Sequence, residues 1–154
     1  MGMNSAEKCR LLEAHYLDFF SLAMAMLRDV DDAKDAVQET MVQVLTKRHV
    51  DNVLNYTYAT LRHQAIDIIR HRRRMVPLDD KAVKASEEHE SRLELVARLH
   101  EELPESLKAL VELHDIEEYS LTELSVVTGL SRSTIRRRLD EAHELLKKRI
   151  EEEI

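Results

Sequence analysis

The chain has 154 residues, with 23 Lys/Arg against 30 Asp/Glu for a formal net charge of −7, and only two glycines, two prolines, one cysteine and no tryptophan. The single cysteine excludes an intramolecular disulfide, glycine only at positions 2 and 129 excludes a Gly-rich phosphate loop, and no apolar run approaches the roughly 20 residues that span a bilayer. Strands alternating with turn signals are absent, so composition points to an all-α chain in a reducing, cytoplasmic setting, as one domain or two small ones.

The first stretch, MGMNSAEKCRLLEAH, carries acidic residues and lacks the apolar core of a signal peptide. Helical spacing predicts a first helix over 6–28, with Leu12, Tyr16, Phe19, Ala23 and Met26 inward. Asp29 to Asp32 interrupt it and supply an N-cap for a second helix over 32–46. There Ala33, Ala36, Val37, Thr40, Met41, Val44 and Leu45 face inward. Asp35, Gln38 and Glu39, at i, i+3 and i+4, share an outer face. By itself that triplet reads as an ordinary solvated face.

A third helix is predicted over 53–73, with Leu54, Tyr58, Leu61, Ala65 and Ile68 inward. It carries Arg62, His63, Arg70, Arg72, Arg73 and Arg74, and Tyr56 lies off the apolar stripe near its start. Rings beside basic groups suit single-stranded DNA, because bases stack on the ring while cations follow the backbone. The alternative is a core tyrosine plus a basic helix end that complements the dipole; Tyr58, on the stripe, fits the core.

Pro77 and the polar run LDDKAVKASEEHES mark a linker. The resulting division is a domain over 1–75, a linker over 76–91 and a second domain over 92–154. Pro104 suits the first turn of a helix running to about Glu118.

The most informative segment is YSLTELSVVTGLSRSTIRRRL, from Tyr119 to Leu139. Ser120 and Glu123 make a capping box before a short helix with Leu121, Leu124 and Val127 inward. Gly129 stands where the chain must turn sharply. Ser131 caps a second helix, whose inward stripe is Ile135, Leu139, Ala142 and Leu146. Arg132, Ser133, Thr134, Arg136 and Arg137 occupy its first two turns, where short polar and arginine side chains suit a DNA major groove. Any two-helix corner with a solvated arginine face would share part of this pattern. The acidic total argues against tight non-specific DNA binding by the free chain, although the arginine clusters form local basic patches.

Other chemistry has little support. His100-Glu101 and His143-Glu144 each lack the second histidine of a zinc-binding helix. No metal or other cofactor is expected, Cys9 has no catalytic partner in the pattern, and the EEEI tail reads as a solvated helix end.

The runs DVDDAKDAVQETMVQVL (29–45), RHQAIDIIRHRRR (62–74), LPESLKALVEL and the helix-turn-helix occur in an order and spacing that resemble a bacterial RNA polymerase sigma factor of the extracytoplasmic-function group. The resemblance covers the chain from about Leu11 to Ile150. It implies an all-α fold of two small helical domains joined by a linker, the second containing the helix-turn-helix, and a non-enzymatic transcription initiation factor. Its implied partners are core RNA polymerase, promoter DNA and an anti-sigma factor.

In that family, the positions of Asp35, Gln38 and Glu39 dock onto the clamp of the polymerase. Tyr56 matches a position usually held by tryptophan; with Arg62, His63 and Arg70 it falls in the part that melts and holds the minus-ten element. The loop from Lys47 to Asn52 corresponds to the segment that captures a flipped base. Arg132, Ser133, Thr134, Arg136 and Arg137 correspond to the reader of upstream duplex DNA.

The chain also departs from the family pattern. That loop is shorter than usual, and His63 replaces a common asparagine. Ser125 stands for a small alanine and Glu118 for a glycine, while Asp140 and Glu141 stand where polar or basic groups are frequent. Two other readings fit the helix-turn-helix. An autonomous repressor or activator would bind a palindrome as a dimer. A helical adaptor would use the basic face for acidic proteins.

Overall fold

A computed structural model describes residues 3–76 and 103–153. The chain divides into two units, Met1–His71 and Arg72–Ile154. Among the described residues all regular structure is helical, as the composition implies. Most of the expected linker, and the segment from Arg92 to Glu102, lie outside the described residues.

The first unit is built from α1 (Ser5–Ala14), α2 (Tyr16–Leu27), α3 (Val30–Thr46) and all but the last turn of α4 (Val53–Met75). The single helix expected over 6–28 is two. At His15 the backbone leaves the α region (φ −107°, ψ 10°), and its amide is shared between the Leu11 and Leu12 carbonyls at 3.2 and 3.3 Å. Such bifurcation marks the tightened end of a helix. Arg28 closes α2 in the left-handed region (φ 50°). Asp29 then caps α3, its carboxylate accepting from the Asp32 amide at 2.8 Å.

Leu12, Phe19, Ala23 and Met26 are buried, as are Ala33, Ala36, Val37 and Val44 of α3. On α4 the buried face is rotated from the expected stripe. Leu61 and Ala65 are buried, but so are Thr57, Arg62, Ile66 and Ile69, whereas Leu54, Tyr58 and Ile68 are only half-buried. The polar Thr57 and Arg62 hid part of this face, while Ile66 and Ile69 fell outside a stripe drawn through Leu54, Tyr58 and Ile68. Thr57 enters the core because its hydroxyl donates to the Val53 carbonyl at 2.6 Å, which satisfies the group within its own helix.

The second unit contains α5 (Glu105–Val111), α6 (Leu121–Thr128) and α7 (Arg132–Glu153). Pro104 occupies the N-cap of α5, just before its first turn. The expected α-helix to Glu118 gives way to a π-helical turn over Glu112–Ile116, in which the Glu117 amide bonds the Glu112 carbonyl at 3.0 Å. Glu118 then takes a left-handed conformation (φ 63°). Leu107, Val111, Leu113, Leu124, Val127, Ile135, Leu139, Ala142 and Leu146 form the core. Both inward stripes of the helix-turn-helix are therefore buried except at Leu121, which is half-buried.

Candidate polymerase and nucleic-acid interfaces

Asp35, Gln38 and Glu39 are exposed on α3, opposite the buried Ala33, Ala36, Val37 and Thr40. Val42, one helical turn beyond Gln38, extends the same face and is 55% exposed. The sequence reading missed it because an apolar residue on a helix is first assigned to the core. The face combines two carboxylates, an amide and an uncovered aliphatic group, a mixture suited to docking a basic, partly apolar partner helix.

On α4, Tyr56, His63 and Arg70 recur at intervals of seven, so they share a face. His63 is exposed, and Tyr56 and Arg70 are half-buried. Arg70 Nη1 lies 2.8 Å from Asp67 Oδ1, in an exposed pair that restrains the guanidinium rather than burying it. Lys47 Nζ stands 5.0 Å from the centre of the Tyr56 ring, a cation–π contact. Tyr58 instead packs edge-on against Phe19, with centroids 5.1 Å apart, and belongs to the core side.

Arg62 departs from its expected place. It is 3% exposed, with Nη2 3.4 Å from His63 Nε2. Helical spacing explains this: Arg62 shares the face of Ile66 and Ile69, which is the buried one. Arg72, Arg73 and Arg74 form the last turn of α4, where cations complement the helix dipole.

The helix-turn-helix is closed by several side-chain bonds. Ser120 Oγ accepts from the Glu123 amide at 3.0 Å, while the Glu123 carboxylate accepts from the Ser120 amide at 3.1 Å. Gly129 adopts φ 76°, a conformation with no Cβ penalty for glycine. Ser125, the departure from a small alanine, donates its hydroxyl to the Leu130 carbonyl at 2.8 Å across the turn. The Leu130 amide donates to Thr128 Oγ1 at 3.2 Å. The turn that aims α7 is therefore held on both sides of Gly129.

Ser131 caps α7 through the Thr134 amide at 3.2 Å and donates to Thr134 Oγ1 at 2.8 Å. Arg132, Ser133, Arg136 and Arg137 are exposed in the next two turns, opposite the buried Ile135 and Leu139. Thr134 is half-buried, with its hydroxyl engaged by Ser131. Asp140 and Glu141 are exposed just beyond this arginine face. Among the described residues there is no group of three His, Cys, Asp or Glu side chains that could hold a metal. No described helix is long and apolar enough to cross a membrane.

Residues 11–75 match the family described as Sigma-70 region 2, and residues 93–146 match Sigma-70, region 4. The chain is also similar to the RNA polymerase sigma factor SigV of Bacillus subtilis, at 30% identity over 141 residues covering 86% of this chain and 84% of the relative. The chain belongs to the extracytoplasmic-function sigma factors. A second relative, the ECF RNA polymerase sigma factor SigE of Mycolicibacterium smegmatis, is 30% identical over 154 residues, 89% of this chain and 59% of the relative. As a sigma factor the protein binds core RNA polymerase and directs it to promoters. A match across both regions does not favour an autonomous helix-turn-helix regulator.

Proposed function

We propose a division of labour among the three exposed faces of this sigma factor. Asp35, Gln38 and Glu39, with Val42, dock core polymerase. Tyr56, His63 and Arg70, with Lys47 beside Tyr56, hold the melted minus-ten strand. Arg132, Ser133, Arg136 and Arg137 read upstream duplex DNA, while Thr134 supports them by fixing the Ser131 cap. Arg62, being buried, supports α4 from within. The chain itself catalyses nothing, and its place of action is the cytoplasm, where core polymerase and promoter DNA are.

The observation that carries this reading is the two-sided α7. Its first two turns present Arg132, Ser133, Arg136 and Arg137 to solvent while Ile135 and Leu139 are buried behind them. Side chains on a helix anchored in this way can enter a major groove, with arginines reaching guanine edges and phosphates. Run-off transcription with purified core polymerase and genomic DNA fragments tests it. Defined transcripts are expected only when the chain is added. Transcripts that survive alanine at all three faces would reject the assignment.

A further inference from the structure

Lys8 is 4% exposed. It reaches from α1 to the end of α3, where Nζ donates to the Lys47 carbonyl at 2.7 Å and to the Val44 carbonyl at 3.4 Å. The last carbonyls of a helix have no partner within it, so Lys8 closes the C-terminus of α3 across 39 residues of sequence. A buried ammonium is tolerated where hydrogen bonds offset its desolvation, and without it the two carbonyls would lose their donor. Closing α3 is thus one role of Lys8, and its position points to a second.

The carbonyl it holds belongs to the residue whose side chain meets Tyr56. Lys47 leaves the α region (φ −78°, ψ 130°) as the chain enters the loop before α4. Its amide is still tied to the Gln43 carbonyl at 3.1 Å. With the amide bonded on one side and the carbonyl on the other, its backbone is fixed just where helix restraint ends. Nζ then stands 5.0 Å from the Tyr56 ring centre, and Tyr56 is itself fixed in the first turn of α4 by its amide bond to the Asn52 carbonyl at 3.0 Å.

We propose that Lys8 is a positioning residue for single-stranded DNA. It holds the Lys47 carbonyl so that the Lys47 ammonium and the Tyr56 ring form one nucleotide site. The ring offers a face for a base, and the ammonium a cation for the adjoining phosphate. Lys8 touches no nucleotide and acts through the Lys47 backbone. The inference rests on the minus-ten reading of Tyr56.

The test uses the full chain assembled with core polymerase. The probe is a fork-junction DNA from a promoter recovered by run-off transcription, with 2-aminopurine scanned through its melted segment. Lys8→Met is expected to weaken binding of the single-stranded part roughly fivefold to tenfold, within the range of one stacked base, and to raise the emission of the 2-aminopurine that stacks on Tyr56, because stacking on the ring quenches it. Affinity for core polymerase and for upstream duplex stays within about twofold, and Lys8→Arg, which keeps a donor, restores most of the loss. In a Lys47→Ala background Lys8→Met adds less than about twofold, because the side chain it positions is gone.

An equal effect of Lys8→Met in both backgrounds, or a parallel loss of polymerase binding, overturns the proposal in favour of a purely structural role. So does wild-type binding by Lys8→Met when Tyr56→Ala is impaired. Wild-type binding by Tyr56→Ala rejects the minus-ten reading itself, and the role of Lys8 with it. If circular dichroism shows Lys8→Met unfolded, Lys8→Gln takes its place in the cycle under the same criteria.

Discussion

Asp115 Oδ2 lies 2.7 Å from His143 Nε2, joining the π-helical turn to the middle of α7 across 28 residues. The other carboxylate oxygen is 2.6 Å from His114 Nδ1. Burial alone would push the Asp115 carboxyl up, but hydrogen bonds from His114 and His143 outweigh it and hold the group down at about 2. The hydrogen bond to Asp115 pushes His143 above its ordinary value, against partial burial and with help from the Asp115 and Asp140 charges.

The two shifts set two pH windows. A raised histidine stabilises the fold fully below its unfolded value near 6.5, and that contribution is lost as pH rises through the higher folded value. A depressed carboxyl contributes above 3.8 and loses its contribution as pH falls toward about 2. Asp115→Asn is therefore expected to cost more stability at pH 6 than at about pH 8, measured by urea unfolding. Equal losses at the two pH values would separate the pair from the titration.

Glu118→Gly is expected to stabilise the second unit by about 1 kcal/mol. Glu118 holds φ 63°, a region that penalises any residue with a Cβ, and it stands where the family commonly has glycine. The gain is reduced by the extra freedom glycine gives the unfolded chain. A thermal midpoint at or below that of the parent chain would count against strain at this position.

Thr40→Val should raise stability by about 1 kcal/mol. Thr40 is 1% exposed, and its Oγ1 makes no hydrogen bond in the fold. Valine keeps the shape and the β-branch, so helix propensity changes little. The denaturant midpoint of unfolding reads the effect, and an unchanged or lower midpoint opposes it.

Much of this architecture is legible in the sequence. Ser120, Glu123, Gly129 and Ser131 announce the helix-turn-helix because caps and turns are local chemistry, decided within four or five residues. The buried stripes of α6 and α7 follow from period alone. What stays hidden depends on partners distant in sequence. Arg62 reads as a surface cation until the face of Ile66 and Ile69 is seen to be buried. Lys8 reads as a solvated lysine, since nothing near it indicates the Lys47 carbonyl. The π turn at Glu112–Ile116 shows no break in the apolar pattern of α5, and its Asp115 finds His143 only after the unit has folded.

Arg136→Ala combined with Arg137→Ala should weaken upstream promoter binding by about 1–3 kcal/mol if one of them makes a bidentate base contact. A phosphate contact would instead weaken all sequences alike and reduce the salt dependence. Both side chains are exposed, and alanine is the better helix former, so helicity should hold. Footprinting of the holoenzyme on promoter DNA separates these cases, and wild-type occupancy rejects the face.

Asp35→Lys combined with Gln38→Ala should reduce core polymerase binding at least about tenfold while leaving the fold intact, because both residues lie off the buried face of α3. Val42→Ser should weaken the same interaction to a smaller degree. Pull-down of core enzyme by the double variant at parental strength would remove this face from the docking surface.

The π turn also constrains how this protein can vary in length. One such turn carries one residue more than the α-helical path it replaces. Removing a single residue between Glu112 and Ile116 could let α5 run on as plain α-helix with little loss of hydrogen bonding. Because the turn absorbs that extra residue, the flanks would keep their phase, and the loss would fall inside the turn, where Asp115 meets His143 and Leu113 enters the core. A one-residue deletion there is taken up locally, where in plain α-helix it would turn one flank by about 100°, and substitutions at His114, Asp115 and His143 are expected to travel with it among relatives.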